Sequence, residues 1–226
     1  MKPLFHPSTE QAIADLVASP TQAMLLCGPI GSGKGHTAAY LASQLLGIAV
    51  DKLPDHPYVQ WLHDKTKAIS IDDIRTAQNF MQLRVPGKLP IRRALIVEQG
   101  ETMGAEAQNA FLKLLEEPPA DSIIIITSTG ADQVLPTIRS RTQTITVLPP
   151  PLSSIEEYFS SAYPKSALTK AYHLSEGHMG LMHALLTNNE SHPLLEQIVL
   201  AKQLLGSTAY DRLAQVDSIS KQKRPR

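Results

Sequence analysis

Cysteine is nearly absent from the sequence, since Cys27 is the single one among 226 residues. One cysteine cannot form an internal disulfide or a multi-cysteine zinc module, so both kinds of stabilised domain are excluded. Cys27 ends the apolar run AMLLC, which indicates a small buried core residue rather than a nucleophile. The composition fits a reducing compartment, and we expect a cytoplasmic protein.

Net charge and long apolar runs are also missing. The 21 basic and 21 acidic residues cancel, so no overall field draws the chain to nucleic acid or to an anionic membrane surface. No run of about 18 apolar residues could span a membrane, and the first ten residues lack the apolar centre of a signal peptide. The basic run KQKRPR at 221–226 reads as a solvated tail, with a specific arm as the alternative. We expect no membrane partner.

What the sequence does contain is an alternation of short apolar runs and helical patterns. Four runs read as strands, at 23–27, 94–98, 122–127 and 142–147. Four helical patterns accompany them, at 9–18, 34–46, 71–83 and 104–115. The first three strand runs are almost continuously apolar, which is typical of parallel strands covered on both faces. This βαβ succession predicts an α/β domain with a parallel sheet.

Two helix starts carry polar signals. Ser8 and Gln11 predict a capping box before the first helix. Ser70 and Asp73 predict a similar cap before the third.

The composition changes at LPPPLSS, residues 148–154, because three consecutive prolines can continue neither regular structure. Beyond them every pattern is helical, at 153–162, 165–174, 178–187 and 191–205. We therefore predict three parts, an α/β domain at 1–149, a small helical lid domain at 150–190, and a helical extension with a basic tail at 191–226.

The stretch GPIGSGKGHT, residues 28–37, resembles a phosphate-binding loop. It follows a predicted strand and leads into a helix, so backbone N–H groups and a helix N-terminus would face a phosphate. The candidate ATP-binding residues are Gly28, Gly31, Ser32, Gly33, Lys34 and Gly35. The motif G-x-x-x-x-G-K-[ST] requires a magnesium-binding hydroxyl at its last position, where this chain has Gly35.

An acidic pair at the end of a later strand would complete a hydrolase of this class. The segment ALIVEQGE offers Glu98 followed by Gln99. Glu98 is the candidate magnesium ligand, but the Gln99 amide is not a base. We expect weak binding of ATP or ADP and almost no hydrolysis.

The run 101–145, which contains NAFLKLLEEPP and LPTIRSR, closely resembles the clamp-loader branch of the AAA+ proteins. The segments HPYVQWL and ISIDDIR, and the later SEGHMGLMHALL, are similar to the delta-prime family of bacterial DNA polymerase III. The resemblance covers about residues 5–190 and implies a RecA-like AAA+ domain followed by a helical lid. It also implies a hetero-oligomer with other clamp-loader subunits, and contact with the sliding clamp and primer-template DNA through that complex.

Site residues follow from this resemblance. The family's nucleotide lysine falls on Lys34, its metal-binding acid on Glu98 and its catalytic glutamate on Gln99. The arginine of its Ser-Arg-Cys motif, which acts on a neighbouring subunit's ATP, falls on Arg141. The lid's sensor arginine would lie near Gly180 and is missing. The family also carries a helical collar domain, and after residue 190 the chain has room for about two helices, so we expect the collar to be absent or truncated.

Three functions remain open at this point. The first is a largely non-hydrolysing clamp-loader subunit, part of a DNA polymerase III holoenzyme, that supplies Arg141 to a neighbour. The second is an active ATPase of gamma type, in which Gln99 positions water. The third is a P-loop kinase of a small molecule. The alternative to the first function is that Arg141 is a surface arginine without a functional role.

Overall fold

The computed structural model describes residues 3–62 and 68–187, together with positions 195, 198, 201 and 204–207. Its sheet contains five strands: β1 (Ala23–Cys27), β2 (Val59–Leu62), β3 (Arg93–Val97), β4 (Ser122–Ser128) and β5 (Gln143–Thr146). They pair in the order β2-β3-β4-β1-β5, and each neighbouring pair is parallel. The predicted α/β class with a parallel sheet is confirmed.

Helices cover both faces of this sheet. They are α1 (Pro7–Ala18), α2 (Lys34–Leu46), α3 (Ile71–Met81), α4 (Ala105–Glu116) and the short α5 (Pro136–Arg139). One hydrophobic cluster joins α1 and α2 to the sheet, and a second joins α3, α4 and α5 to its other face. Every residue of β1, β3 and β4 is buried between these layers, which explains why their sequences are apolar without alternation.

Strand β2 is an edge strand that the sequence patterns do not predict. Only Val59 and Leu62 are buried in it, whereas Gln60 and Trp61 are half-buried. A four-residue run with a polar member carries too little periodicity to be distinguished from a loop. Its partner β3 supplies the parallel register, Val59 opposite Ala94.

The start of α1 corrects one prediction. Helix α1 begins at Pro7, and the Nδ1 atom of His6 accepts the Ser8 N–H at 3.1 Å. Ser8 therefore lies inside the first turn and does not cap it, because Pro7 already has the helical φ and no N–H to satisfy. The capping box before α3 is confirmed, since Ser70 Oγ accepts the Asp73 N–H and Asp73 accepts the Ser70 N–H.

Three further helices follow the prolines: α6 (Leu152–Phe159), α7 (Lys165–Ser175) and α8 (Met179–Thr187). They share a small core of Ile155, Leu168, Ala171 and Met182. Helix α6 ends three residues before the predicted 162, where the Ser160 hydroxyl donates to the Glu157 carbonyl and competes with continued helix. The three-part division of the chain stays a prediction.

The helix predicted at 191–205 lies largely outside the described residues, and the tail from 208 lies wholly outside them. None of the helices in the described part of the chain is both long and apolar enough to cross a membrane.

A charged cluster fastens the edge of the sheet at which the strands begin. Asp121, just before β4, pairs with Arg92 at 2.9 Å and with Arg93 at 2.7 Å. Arg93 opens β3, and its side chain is only 6% exposed. Its guanidinium also donates to the Met81 carbonyl at the end of α3. One carboxylate thus links the start of β3, the start of β4 and the end of α3.

Candidate nucleotide site and a remote arginine

The glycine-rich loop lies where the sequence motif predicts, between the end of β1 and the start of α2. Gly31 and Gly33 have positive φ angles of 84° and 91°, which L-residues with a side chain rarely adopt. Gly33 is the N-cap of α2, so the first amide groups of this helix have no partner within it. Those amides and the positive end of the helix dipole form an anion-binding turn.

Within this loop Lys34 folds back onto the backbone. Its ammonium donates to the Gly28 carbonyl and, at 2.9 Å, to the Pro29 carbonyl. Burial lowers the pKa of Lys34 below its ordinary value, and the charges of Glu101 and Glu98 partly oppose that shift. The two carbonyls thus engage two of the three donors of the Lys34 ammonium and would compete with a phosphate for it. The Ser32 hydroxyl in the same loop is buried without a hydrogen-bond partner among the described residues, so an acceptor oxygen entering here would satisfy it.

Gly35 of the glycine-rich loop and Glu98, which follows β3, lie next to each other. A Cβ atom built on Gly35 would lie 2.6 Å from the Glu98 Oε1 atom. The Glu98 carboxylate therefore occupies the space that a serine or threonine side chain would need. A side chain at position 35 would thus require the Glu98 carboxylate to move, so the two positions are sterically linked.

This arrangement does not fit a magnesium ion of the phosphate-loop kind. The ligating hydroxyl is absent, and the carboxylate crowds the position from which it would act. Among the described residues no group of three or more histidine, cysteine or acidic side chains could hold a metal. Gln99 stands next to Glu98 with a left-handed φ of 55°, and its N–H donates to Thr127 Oγ1 at 3.1 Å. Its amide cannot take a proton from water.

Because positions 35 and 98 are in contact, the effect of a substitution at Gly35 on the free energy of unfolding should depend on the residue at position 98. Gly35→Ala should be neutral or destabilising in the parent chain, because the added methyl displaces the Glu98 carboxylate. In a Glu98→Ala background the same change should stabilise the domain by about 0.5–1 kcal/mol, the usual gain of alanine over glycine in a helix. Urea unfolding of the four chains measures this. Equal effects of Gly35→Ala in both backgrounds would contradict the contact.

Helix α8 contacts the glycine-rich loop directly. The Gly180 N–H, at the start of α8, donates to the Gly31 carbonyl at 2.7 Å. A Cβ atom at Gly180 would lie 3.0 Å from that oxygen and 3.4 Å from the Gly31 Cα atom. The two backbones approach so closely here that a side chain at position 180 would crowd Gly31.

Arg141 lies at the opposite edge of the sheet from this loop. It borders a cavity of about 390 Å³ together with Gln22, which precedes β1, and Gln143, which opens β5. Gly28 follows the other end of β1. At about 3.3 Å per residue, the strand separates the two edges by roughly 20 Å. Arg141 and the loop are therefore not brought together within one chain.

Three contacts of the candidate site and of Arg141 could not be predicted from sequence patterns. Glu116 pairs with Arg141 at 2.8 Å across 25 residues of chain. Gly180 meets Gly31, and Glu98 meets Gly35, across still longer separations. No local spacing signals such contacts. A weak hint exists only for Glu116, as an acid at the C-terminal end of a helix, where the helix dipole disfavours negative charge.

Comparison with known proteins finds relatives of the part of the chain that contains the sheet. A profile of the family described as "DNA polymerase III, delta subunit" matches residues 17–151. DNA polymerase III subunit delta′ of Pseudomonas aeruginosa is 32% identical over 157 residues, which cover 62% of this chain and 47% of that protein. DNA polymerase III subunit gamma/tau of Mycobacterium tuberculosis is 46% identical over 50 residues, 22% of this chain and 9% of that protein. The chain thus spans about half the length of the delta′ relative.

Solved structures share the fold. A DNA polymerase III gamma subunit-related protein of Thermotoga maritima has a TM-score of 0.56 at 21% identity, covering 96% of this chain and 79% of that one. The RuvB Holliday junction branch migration motor of the same organism has a TM-score of 0.53 at 13% identity, with 77% and 56% covered. The expected RecA-like α/β fold is confirmed by these likenesses.

Proposed function

The chain belongs to the DNA polymerase III delta-subunit family, and on that premise we propose that it is a delta′-type subunit of a bacterial sliding-clamp loader. In this proposal it hydrolyses almost no ATP itself and donates Arg141 to the ATP site of a neighbouring subunit. Its partners are other clamp-loader subunits, and the clamp and primer-template DNA are met through the assembled complex.

One observation carries the proposal: Arg141 lies at the edge of the sheet opposite the chain's own phosphate loop. An arginine about 20 Å from the chain's own phosphate loop cannot reach a nucleotide bound there, so a nucleotide on which it acts must be held by another chain. A guanidinium is permanently charged and has a planar fork of donors. Those properties suit the charge that develops on the oxygens of a transferred phosphoryl group.

The chain's own loop supports a binding role without hydrolysis. The α2 amides, Ser32 and Lys34 can bind phosphate oxygens, and Lys34 neutralises part of their charge. Glu98 crowds Gly35, and Gln99 has no basic atom for the attacking water. ATP or ADP would therefore bind weakly, because the Gly28 and Pro29 carbonyls compete with phosphate oxygens for the Lys34 ammonium.

The isolated chain is expected to bind ATP weakly and to release no phosphate above background. Calorimetry and phosphate-release assays on the parent chain measure both quantities, with Lys34→Ala as the variant that should lose the binding. His36, an exposed residue in the same turn of α2, provides a control through His36→Ala.

Turnover by the pure chain that Lys34→Ala abolishes would overturn the non-hydrolysing proposal and favour the gamma-type ATPase. Phosphate transfer to a metabolite would favour the kinase instead. Co-purification with the other replication proteins, followed by an ATPase assay on the complex, tests the clamp-loader assignment. Failure to assemble with any of them would count against it.

A further inference from the structure

The guanidinium of Arg141 is held in one orientation within its own chain. Its Nη2 atom donates to Glu116 Oε1 at 2.8 Å, and its Nη1 atom donates to the Thr137 carbonyl at 3.1 Å. The Ser140 hydroxyl lies 3.5 Å from the same Nη1. Glu116 is the last residue of α4, whereas Thr137 belongs to α5. The two terminal nitrogens of Arg141 are thus hydrogen-bonded to residues of two different helices, α4 and α5.

The ion pair between Arg141 and Glu116 adds little to the stability of the fold. The Arg141 and Glu116 side chains are 36% and 49% exposed, and ion pairs in such surroundings contribute little because water screens them. Glu116 also stands at a helix C-terminus, where a negative charge is disfavoured. The main effect of this ion pair is therefore to fix the direction in which the Arg141 side chain points.

The Arg141 guanidinium still has N–H groups that are not used in these hydrogen bonds. A guanidinium carries five N–H groups, and the bonds to Glu116, Thr137 and Ser140 use only its two terminal nitrogens. The cavity of about 390 Å³ beside it is lined by polar groups, among them Thr21, Gln22 and Gln143. A phosphate group carried by a neighbouring chain could thus meet an arginine that is already oriented.

We propose that Glu116 is a positioning residue for Arg141, which presets the guanidinium for a phosphoryl group on another subunit. The inference rests on the proposed function, since it requires that Arg141 acts in trans. An unrestrained arginine loses much of its side-chain freedom when it engages a phosphate. An arginine held in advance loses less, so the benefit appears in the transition state.

The test is ATP turnover of the reconstituted complex with the parent chain and with five variants of it. Glu116→Ala and Glu116→Gln should lower kcat about tenfold, with KM for ATP nearly unchanged, because positioning acts on the chemical step. Arg141→Ala should lower it far more. In the Arg141→Ala background, Glu116→Ala should add nothing, since the two residues act as one unit. Glu117→Ala, which removes the exposed neighbouring acid, is the matched control and should leave kcat unchanged.

A second measurement needs no partner. Nitrogen-resolved NMR of the full chain should show restricted rotation of the Arg141 guanidinium, and Glu116→Ala should release it while the melting temperature stays the same. Unrestricted rotation in the parent chain would overturn the proposal, as would a rise in kcat on Glu116→Ala, which would make Glu116 a restraint.

The two proposals fail in distinguishable ways. If Arg141→Ala leaves turnover intact, the trans role itself is wrong, and the inference falls with it. If Arg141→Ala lowers turnover while Glu116→Ala and Glu116→Gln leave kcat unchanged, only the positioning role is wrong. The same holds if Glu116→Ala lowers the residual turnover of Arg141→Ala as much as it lowers that of the parent chain.

Discussion

Replacing Arg141 by alanine should lower ATP turnover of the assembled clamp loader by about a thousandfold at the site that this chain completes, the scale known for arginines supplied in trans. The reason is electrostatic. Charge accumulates on the phosphoryl oxygens in the transition state, and a fixed guanidinium stabilises it in a site from which water is excluded. The isolated chain should keep its fold and its own nucleotide affinity, because Arg141 is exposed and lies far from Gly28–Gly35.

Two further variants sharpen this expectation. Arg141→Lys should restore little of the rate, since an ammonium is a point charge and cannot bridge two oxygens with a planar fork. Arg139→Ala removes an exposed arginine two residues away, at the end of α5, and should leave turnover unchanged. Single-turnover kinetics with the reconstituted complex measure the chemical step directly. Equal loss with both alanine variants would indicate damage to α5 rather than a missing transition-state contact.

Replacing Asp121 by alanine should cost about 3–5 kcal/mol of the free energy of unfolding, the usual penalty for breaking a buried ion pair from one side. Arg93 is only 6% exposed, so its charge would remain buried with the Met81 carbonyl as its main acceptor. Asp121→Asn keeps the shape and one acceptor oxygen but loses the charge, and its cost should be smaller. Urea unfolding of the chain measures both.

The exposed pair between Asp72 and Arg75 is the control for this result. Its side chains are 80% and 65% exposed, so Asp72→Ala should change stability by no more than about 1 kcal/mol. Asp72 also lies in the first turn of α3, where an acid interacts favourably with the helix dipole. A similar cost for Asp72→Ala and Asp121→Ala would mean that the cluster at the start of β3 and β4 does not carry the buried charge as the structure implies.

Local sequence patterns determine much of this protein. The continuous apolar runs predict β1, β3 and β4, because parallel strands covered on both faces have no polar alternation. The loop from Gly28 to Gly35 is predicted by glycines, whose positive φ angles the turn requires at Gly31 and Gly33. The start of helix α1 is predicted less well. Ser8 and Gln11 predict a capping box, but His6 caps the helix and Pro7 begins it.

The relation between the departures from the motifs is decided only by the tertiary structure. From sequence, Gly35, Glu98 and the missing arginine at Gly180 are three separate losses. In the folded chain Glu98 fills the space beside Gly35, and Gly180 lies on Gly31. Likewise, Arg141 is predicted by its motif, but its partner Glu116 and its distance from the loop are not.

The physical reason is the range over which each kind of information acts. Periodicity, capping and glycine turns depend on neighbours within a few residues, so they can be read along the chain. Steric contacts and ion pairs depend on distance in space, and here they join residues 25 and 28 positions apart, as in Glu116–Arg141 and Arg93–Asp121. Parallel strands bring such residues together at one edge of the sheet only after the crossovers between them have formed.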